Sequence, residues 1–234
     1  NSGLARPLTV TATEGTVLNC VHPAAVNGRI APCQRVVDLI HGALAQAVPE
    51  RVIAACSGVC ASATFIGDDP GTGKLWVYLE TIGGGSGARA GKDGLDGVHV
   101  HMTNTSNLPV EALEVEYPLT ILRYELVDGS GGRGRHRGGM GLRRVYRAEA
   151  PCRLRVDNSR IHSRPWGIAG GGEGSSSAIL FSDGVKPFDH GNGALEAGQI
   201  VEIVTPGAGG YGPAAERSAE DRARDEREHR YAAE

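Results

Sequence analysis

The stretch LWVYLETIGGGSG, Leu75 to Gly87, sets seven β-forming or apolar residues, interrupted only by Glu80, against a run of glycines. Such a run, ended by a break that no side chain stiffens, reads as a buried strand feeding a glycine loop. Immediately upstream, Gly67-Asp68-Asp69-Pro70-Gly71-Thr72-Gly73-Lys74-Leu75 has the look of a phosphate-binding loop. It has one residue too many before Gly-Lys and no hydroxyl after the lysine to meet magnesium, so DPGTGK is a hairpin turn. Nor does GGGSG have dinucleotide spacing, and no clear helix starts behind it.

Working outward toward the C-terminus, LTILRYELV (Leu119 to Val127) and GLRRVYRAE (Gly141 to Glu149) are strand candidates. The loop DGSGGRGRHRGGM joins them. CRLRVD, SAILFS and QIVEIV add three more short strands, at the spacing of β-rich folds. GGRGRHRGG, Gly131 to Gly139, occurs once and is held between strands, which makes it a structured loop rather than an RNA-binding tail.

Toward the N-terminus, residues 4 to 30 read as short extended pieces punctuated by Pro7, Gly15, Pro23 and Gly28. From Pro32 to Val48, apolar residues Val36, Val37, Ile40, Leu44, Ala47 and Val48 recur at helical spacing, and Pro49 closes the segment. A second helix is expected from Pro109 to Tyr117. Beyond Gly212 the composition turns to AAERSAEDRARDEREHRYAAE. Glu220 with Arg224 and Glu226 with Arg230 lie four apart, as in a solvated helix that frays or lies on a partner. The expected fold is therefore α+β: a β-rich, glycine-loop-rich body over residues 1–212 with one amphipathic helix near its N-terminus, and a polar helical tail over 213–234.

The 234 residues suffice for a substantial core without disulfide staples. Thirty-five glycines and 5% aromatics point to tight turns rather than a helical bundle. A net charge of −3 supplies no basic field for nucleic acid or an anionic membrane, and no long apolar span is present. The five cysteines, Cys20, Cys33, Cys56, Cys60 and Cys152, are an odd set without a secretory segment, which fits free thiols in the cytoplasm. Cys56 and Cys60 have three residues between them and no second pair nearby, so they read as small buried thiols rather than zinc ligands or a redox pair. A chain opening on Asn1 is expected to be a processed piece or a split subunit.

The chemistry-bearing stretch follows the glycines: VHVHMTNTSN, Val98 to Asn107. If Gly97 to Thr103 is extended, His99 and His101 project from one face about 6 to 7 Å apart. Shared metal ligation with Asp93 and Asp96 is one reading. Structural hydrogen bonding is another, and anchoring of a polar substrate by Thr103, Asn104, Thr105 and Asn107 is a third.

The order of these motifs resembles the hydantoinase B/oxoprolinase family, the B component of ATP-dependent hydantoinases. The run Glu80 to Arg147 carries the resemblance, supported by NSGLARPLTVTATEGTVLN, VNGRIAPCQRVVDLIHGALAQAVPERV and TPGAGGYGPAAERS. CSGVCASA, Cys56 to Ala63, differs from the asparagine-rich sequence of relatives, so the substrate of the best-known members does not carry over. The resemblance implies the C-terminal portion of a B component, with the metal-associated N-terminal half lying elsewhere. It further implies a hydantoinase A-like partner that binds ATP and Mg and phosphorylates the substrate oxygen of a lactam or cyclic imide. The divalent metal, Zn, Mn or Fe, would be held mainly by the missing half, and a metal-bound water would open the ring. The expected assembly is a hetero-oligomer acting on a small molecule. Acetone or acetophenone carboxylation is the alternative chemistry on this scaffold, and a non-catalytic docking piece is the alternative role. Within this chain the expected catalytic residues are His99 and His101 for proton transfer, oriented by Asp93 and Asp96. Arg89 is expected to meet an anionic group, and Asn104 and Asn107 to hold the substrate amide.

Overall fold

The computed structural model describes residues 6–58, 61–182 and 192–231. Two helices lie before and after the first hairpin, α1 (Ile30–Ala45) and α2 (Val110–Glu116). The strands are β1 (Ala61–Asp68), β2 (Leu75–Ile82), β3 (Leu119–Leu126), β4 (Leu142–Ala148), β5 (Cys152–Asp157), β6 (Ala178–Phe181), β7 (Gly193–Leu195) and β8 (Ile200–Val204). The chain then forms α3 (Ala219–Arg227). Among the described residues, eight strands in two antiparallel sheets, ordered β2-β1-β5-β7 and β3-β4-β8-β6, make the α+β fold that the sequence implies.

β1 and β2 pair over their full length, from Ala61 opposite Ile82 to Asp68 opposite Leu75. The turn between them is fixed by Asp69, whose Oδ1 accepts from the Gly71 amide (3.1 Å) and from the Thr72 amide (2.6 Å) and hydroxyl (2.7 Å). Those donors are spent on the protein's own carboxylate, which leaves no phosphate cradle here. β2 is buried on one face only: Trp76, Tyr78, Glu80 and Ile82 point inward, while Leu75, Val77 and Leu79 are exposed. β1 escapes detection in the sequence because two of its inward residues, Ala61 and Ala63, have little β preference of their own. Their small size suits a central strand flanked by β2 and β5.

The sheets face each other across Phe65, Ile82, Leu119, Tyr146, Leu195 and Ile203. Phe65 and Tyr146 pack ring to ring at 4.9 Å. Buried among them, Arg144 pairs with Glu80 at 3.0 Å and lies 4.0 Å over the Tyr124 ring, while the Tyr146 hydroxyl donates to Glu80. Both charges have partners, as burial requires.

The second half of the interior contains little apolar matter. Glycine-rich segments 83–97, 130–141, 167–174 and 206–212 lie against one another, bonded amide to carbonyl without forming helices or sheet strands. Gly139 donates to Ser86 O (2.9 Å), Ala208 to Gly139 O (2.9 Å), Gly132 to Ala208 O (2.8 Å) and Gly210 to Gly172 O (2.9 Å). A Cβ on Gly139 would stand 1.9 Å from the Leu95 carbonyl oxygen, so the glycine is demanded by the approach of its neighbours. This mutual close approach accounts for the glycine content better than turns do. GGRGRHRGG is part of the glycine network and hence a structured loop.

Residues 6–29 contain no strand, only an isolated bridge between Thr16 and Asn19, and every residue of the segment is exposed. One expectation, that of the tail, is corrected by the structure. The described part of the tail, residues 213–231, packs on this chain's own body rather than fraying or lying on a partner. α3 begins at Ser218, whose Oγ accepts from the Asp221 amide at 3.0 Å, and its Asp225 is fully buried against the body. Arg224 pairs with Asp221 and Asp93, and Arg230, already past the helix, pairs with Asp96 and Glu228. The tail's charges thus dock it through Arg224–Asp93 and Arg230–Asp96, and its local pairs are Arg224–Asp221 and Arg230–Glu228 rather than Glu220–Arg224 and Glu226–Arg230.

Candidate functional site

α1 is the most telling departure from its sequence pattern. Ile40 and Leu44 of the apolar stripe are exposed and Val36 and Val37 only half-buried, while the buried residues are polar, Gln34 and Asp38. Gln34, Asp38 and His41 follow one another at spacings of four and three, so they share a helix face. That face is turned to two other segments. Loop 54–58 is stitched to the glycine network, with Ala54 donating to Ala88 O (2.8 Å), Ala55 to Trp166 O (3.0 Å) and Ser57 to Gly85 O (2.8 Å). The other is the chain around His101.

Asp38 is the hub where these segments meet. Its Oδ1 accepts from the Cys56 amide (3.2 Å) and faces His101 Nε2 (3.2 Å); its Oδ2 accepts from Arg35 (3.1 Å) and Arg160 (2.8 Å). The Asp38 and His101 side chains are each only 5% exposed. Arg35 also donates to the Ser57 and Gly58 carbonyls, and Arg160 to those of Cys56 and Ser57, so the two guanidiniums clamp the loop onto the carboxylate. Gly58 has φ +56°, and a Cβ there would stand 2.6 Å from Arg35 Nη1 and 2.8 Å from Asp38 Oδ2. Gln34 pins the next turn, donating to Val100 O (3.2 Å) and Thr103 Oγ1 (3.3 Å).

Burial dominates the protonation chemistry. It pushes the Cys56 thiol up to about 12 and lowers Arg35 to about 10, where the like charge of Arg160 adds to the effect. His41 is lowered by burial and then by neighbouring His101. His99 is lowered by burial alone, and both its ring nitrogens lack a hydrogen-bond partner among the described residues.

Asp38, Cys56 and His101 each offer a ligand atom within 4.8 Å of the others, the one such group among the described residues. They do not fit a divalent ion. Both carboxylate oxygens are already engaged, the thiol is far from ionising, and two guanidiniums stand alongside. No step of the chemistry is routed through a metal at this trio.

The expected site residues fall into separate places. His101 has φ +58°, so the chain turns there and the extended, shared-face geometry of His99 and His101 does not form. Asp93 accepts two bonds from Arg217 (both 2.9 Å) and one from the Arg137 amide (2.9 Å). Asp96 is forked by Arg137 (2.7 and 2.9 Å) and bonded by Arg230 (2.6 Å). Neither carboxylate is hydrogen-bonded to His99 or His101 among the described residues. Arg89 is exposed, its backbone paired with Lys92. Asn104 and Asn107 are exposed as well, Asn107 reaching the Tyr124 hydroxyl. Cys56 is buried and unpaired, as the sequence implies; Cys60 lies outside the described residues. The residues that converge around His101, namely Arg35, Asp38, His41, Cys56 and Arg160, are not among those expected from sequence. The available signal is the polar spacing of Gln34, Asp38 and His41 on α1, which looks like a wet face until the fold buries it.

Residues 1–214 match the family model for hydantoinase B/oxoprolinase, and the chain belongs to that family. An uncharacterized protein of Methanocaldococcus jannaschii is 43% identical over 93% of this chain and 38% of its own length. A Pseudomonas protein named as the B component of a D-/L-hydantoinase is 34% identical over 94% of this chain and 38% of its own length. Among solved structures, the ATP-dependent caprolactamase from Pseudomonas jessenii superposes with a TM-score of 0.76 at 26% identity, over 94% of this chain and 40% of that one. The chain therefore spans about two fifths of the length of these relatives.

Proposed function

We propose that this chain is part of the B component of an ATP-dependent cyclic amidohydrolase, acting on a lactam or cyclic imide whose oxygen a partner subunit has phosphorylated. The observation that carries the reading is the family match across residues 1–214. The backbone likeness to an ATP-dependent caprolactamase agrees with it. In this reading a hydantoinase A-like subunit holds ATP and Mg, and the remainder of the B component holds a divalent metal. The complex is a cytoplasmic hetero-oligomer. Exposed free Cys20 and Cys33 suit a reducing compartment, and no helix among the described residues is long and apolar enough to cross a membrane.

Apolar exposure supports an assembly. Leu8 (68%), Val10 (88%), Val17 (75%), Leu39 (66%) and Ile40 (54%) leave side chains in water that a partner surface would cover. Separately, Arg89, Asn104 and Asn107 sit on accessible segments where they can meet substrate or a partner. The decisive experiment is ATP-dependent ring opening by the reconstituted complex with hydantoin, 5-oxoproline and caprolactam. Opening of at least one ring only when ATP is present is the expected result. Ring opening that persists without ATP, or consumption of bicarbonate with a ketone and no ring opening, contradicts the proposal.

A further inference from the structure

We infer that His101 is a catalytic proton-transfer group for the ring-opening step and that Asp38 is its positioning residue. This rests on the cyclic amidohydrolase reading above and adds to it a particular pair of groups. A buried carboxylate that faces one imidazole nitrogen fixes the ring's orientation and tautomer and favours the imidazolium that forms when the other nitrogen takes a proton. His101 Nε2 lies 3.2 Å from Asp38 Oδ1, which assigns the Nε2 proton to the carboxylate and leaves Nδ1 as the base.

Three features set this pair apart from an ordinary buried ion contact. First, Asp38 is not left to His101 alone: Arg35 and Arg160 bond its other oxygen, so its aim at the imidazole does not depend on the charge the ring carries. Second, His101 and Arg160 have φ values of 58° and 70°, a backbone region that side chains other than glycine rarely adopt. Held strain of this kind costs about 1–3 kcal/mol per residue and persists where surroundings over-determine it. Gln34 supplies that constraint on either side of His101, through Val100 and Thr103. Third, His101 stands close enough to His41 to help lower that ring's pKa, so a second imidazole lies within electrostatic reach of the pair. The groups near the imidazole are thus Asp38, His41 and the Cys56 thiol, with Arg35 and Arg160 on the far oxygen of Asp38.

The step balances with water and the phosphoryl group as the co-reactants. In the phosphorylated lactim the ring carbon bears the phosphate oxygen and a double bond to nitrogen. Water oxygen bonds to that carbon and the carbon–nitrogen bond breaks. Both water hydrogens end on nitrogen, one of them carried by His101, and an acyl phosphate remains. A second water converts it to carboxylate and phosphate.

The test uses the complete complex, with His101→Gln and Asp38→Asn measured beside wild type for ring opening and, separately, for substrate-dependent ADP formation. The expected result is a fall in ring opening of about a hundredfold or more for each variant, the usual range for loss of a general acid–base, with ADP formation retained. His101→Ala is expected to recover part of its rate on addition of imidazole, a response that a purely structural role would not give. Ring opening within about twofold of wild type in His101→Gln would overturn the inference, as would a loss in His101→Ala that imidazole leaves untouched. Wild-type complex that opens no ring under any condition would instead contradict the cyclic amidohydrolase reading itself.

Discussion

Apart from the Glu80–Arg144 pair between the sheets, two clusters of carboxylates and arginines stand out among the described residues, and they differ in what is left over once the charges are counted. In the cluster that docks the tail, Asp93, Asp96 and Asp225 are matched by Arg137, Arg217 and Arg230, and Arg217 alone donates to both Asp93 and Asp225. It contains carboxylates locked by guanidinium forks, with His136 at its edge, 3.7 Å from Asp93. The cluster under α1 has one carboxylate, two guanidiniums and an imidazole on strained backbone. The first arrangement can hold a segment in place and do little else. The second sets an imidazole against a carboxylate, a pairing suited to proton transfer.

Substitutions should separate the clusters along two axes. The largest effect is expected on turnover: Asp38→Asn lowers ring opening about a hundredfold, while a stopped-flow or calorimetric comparison finds the tail still docked. Next, Asp225→Ala removes one of the two carboxylates of Arg217, which keeps Asp93, while Arg137 keeps Asp96, and losing a hydrogen bond to a charged group costs about 1.5–3 kcal/mol. Chemical denaturation should show that loss, with the rate per folded molecule unchanged. A loss of turnover in Asp225→Ala without a loss of stability would erase the distinction.

Smaller effects follow from pH. Burial raises the Asp93 carboxyl, but the hydrogen bonds and charge of Arg217 outweigh it, so its folded pKa lies below the ordinary carboxylate value. Its stabilisation is complete above the unfolded value of about 3.9 and is lost as pH falls through the lower folded value. Hydrogen exchange in residues 219–227 should rise only in strong acid. His41 and His99 are also lowered, in their case mainly by burial, so the folded state favours their neutral rings. Their contribution is complete above about 6.5 and is lost as pH falls from there through the folded values. Loosening around α1 should therefore begin at milder acidity than loosening of the tail. The smallest change is expected at Arg155, exposed on β5 and paired only with Asp157 among the described residues. Arg155→Ala should stay within about 0.5 kcal/mol of wild type by thermal melting.

The same contrast explains what can be read from sequence. β2, β5 and α2 declare themselves because their patterns are local: alternation, a proline at the start, a glycine break. β1 and β7 do not, since Ala61, Ala63 and Gly193 become strand residues only through partners far along the chain. The histidine stretch stands out in the sequence, yet its carboxylate partner does not. Asp93 and Asp96 are near in sequence, whereas Asp38 is 63 residues from His101 and reaches it only because the glycine network holds loop 54–58 and α1 in place. α1 misleads for a related reason: Ile40 and Leu44 of its apolar stripe point outward, while Gln34 and Asp38 are the residues buried.

Nitrogen-15 NMR of the histidine rings tests most directly whether Asp38 holds the Nε2 proton of His101. The predicted spectrum has a protected His101 Nε2–H resonance, shifted downfield by the carboxylate and lost or moved upfield in Asp38→Asn. A His101 ring protonated on Nδ1 in its neutral form, or a resonance indifferent to Asp38→Asn, would contradict the assignment.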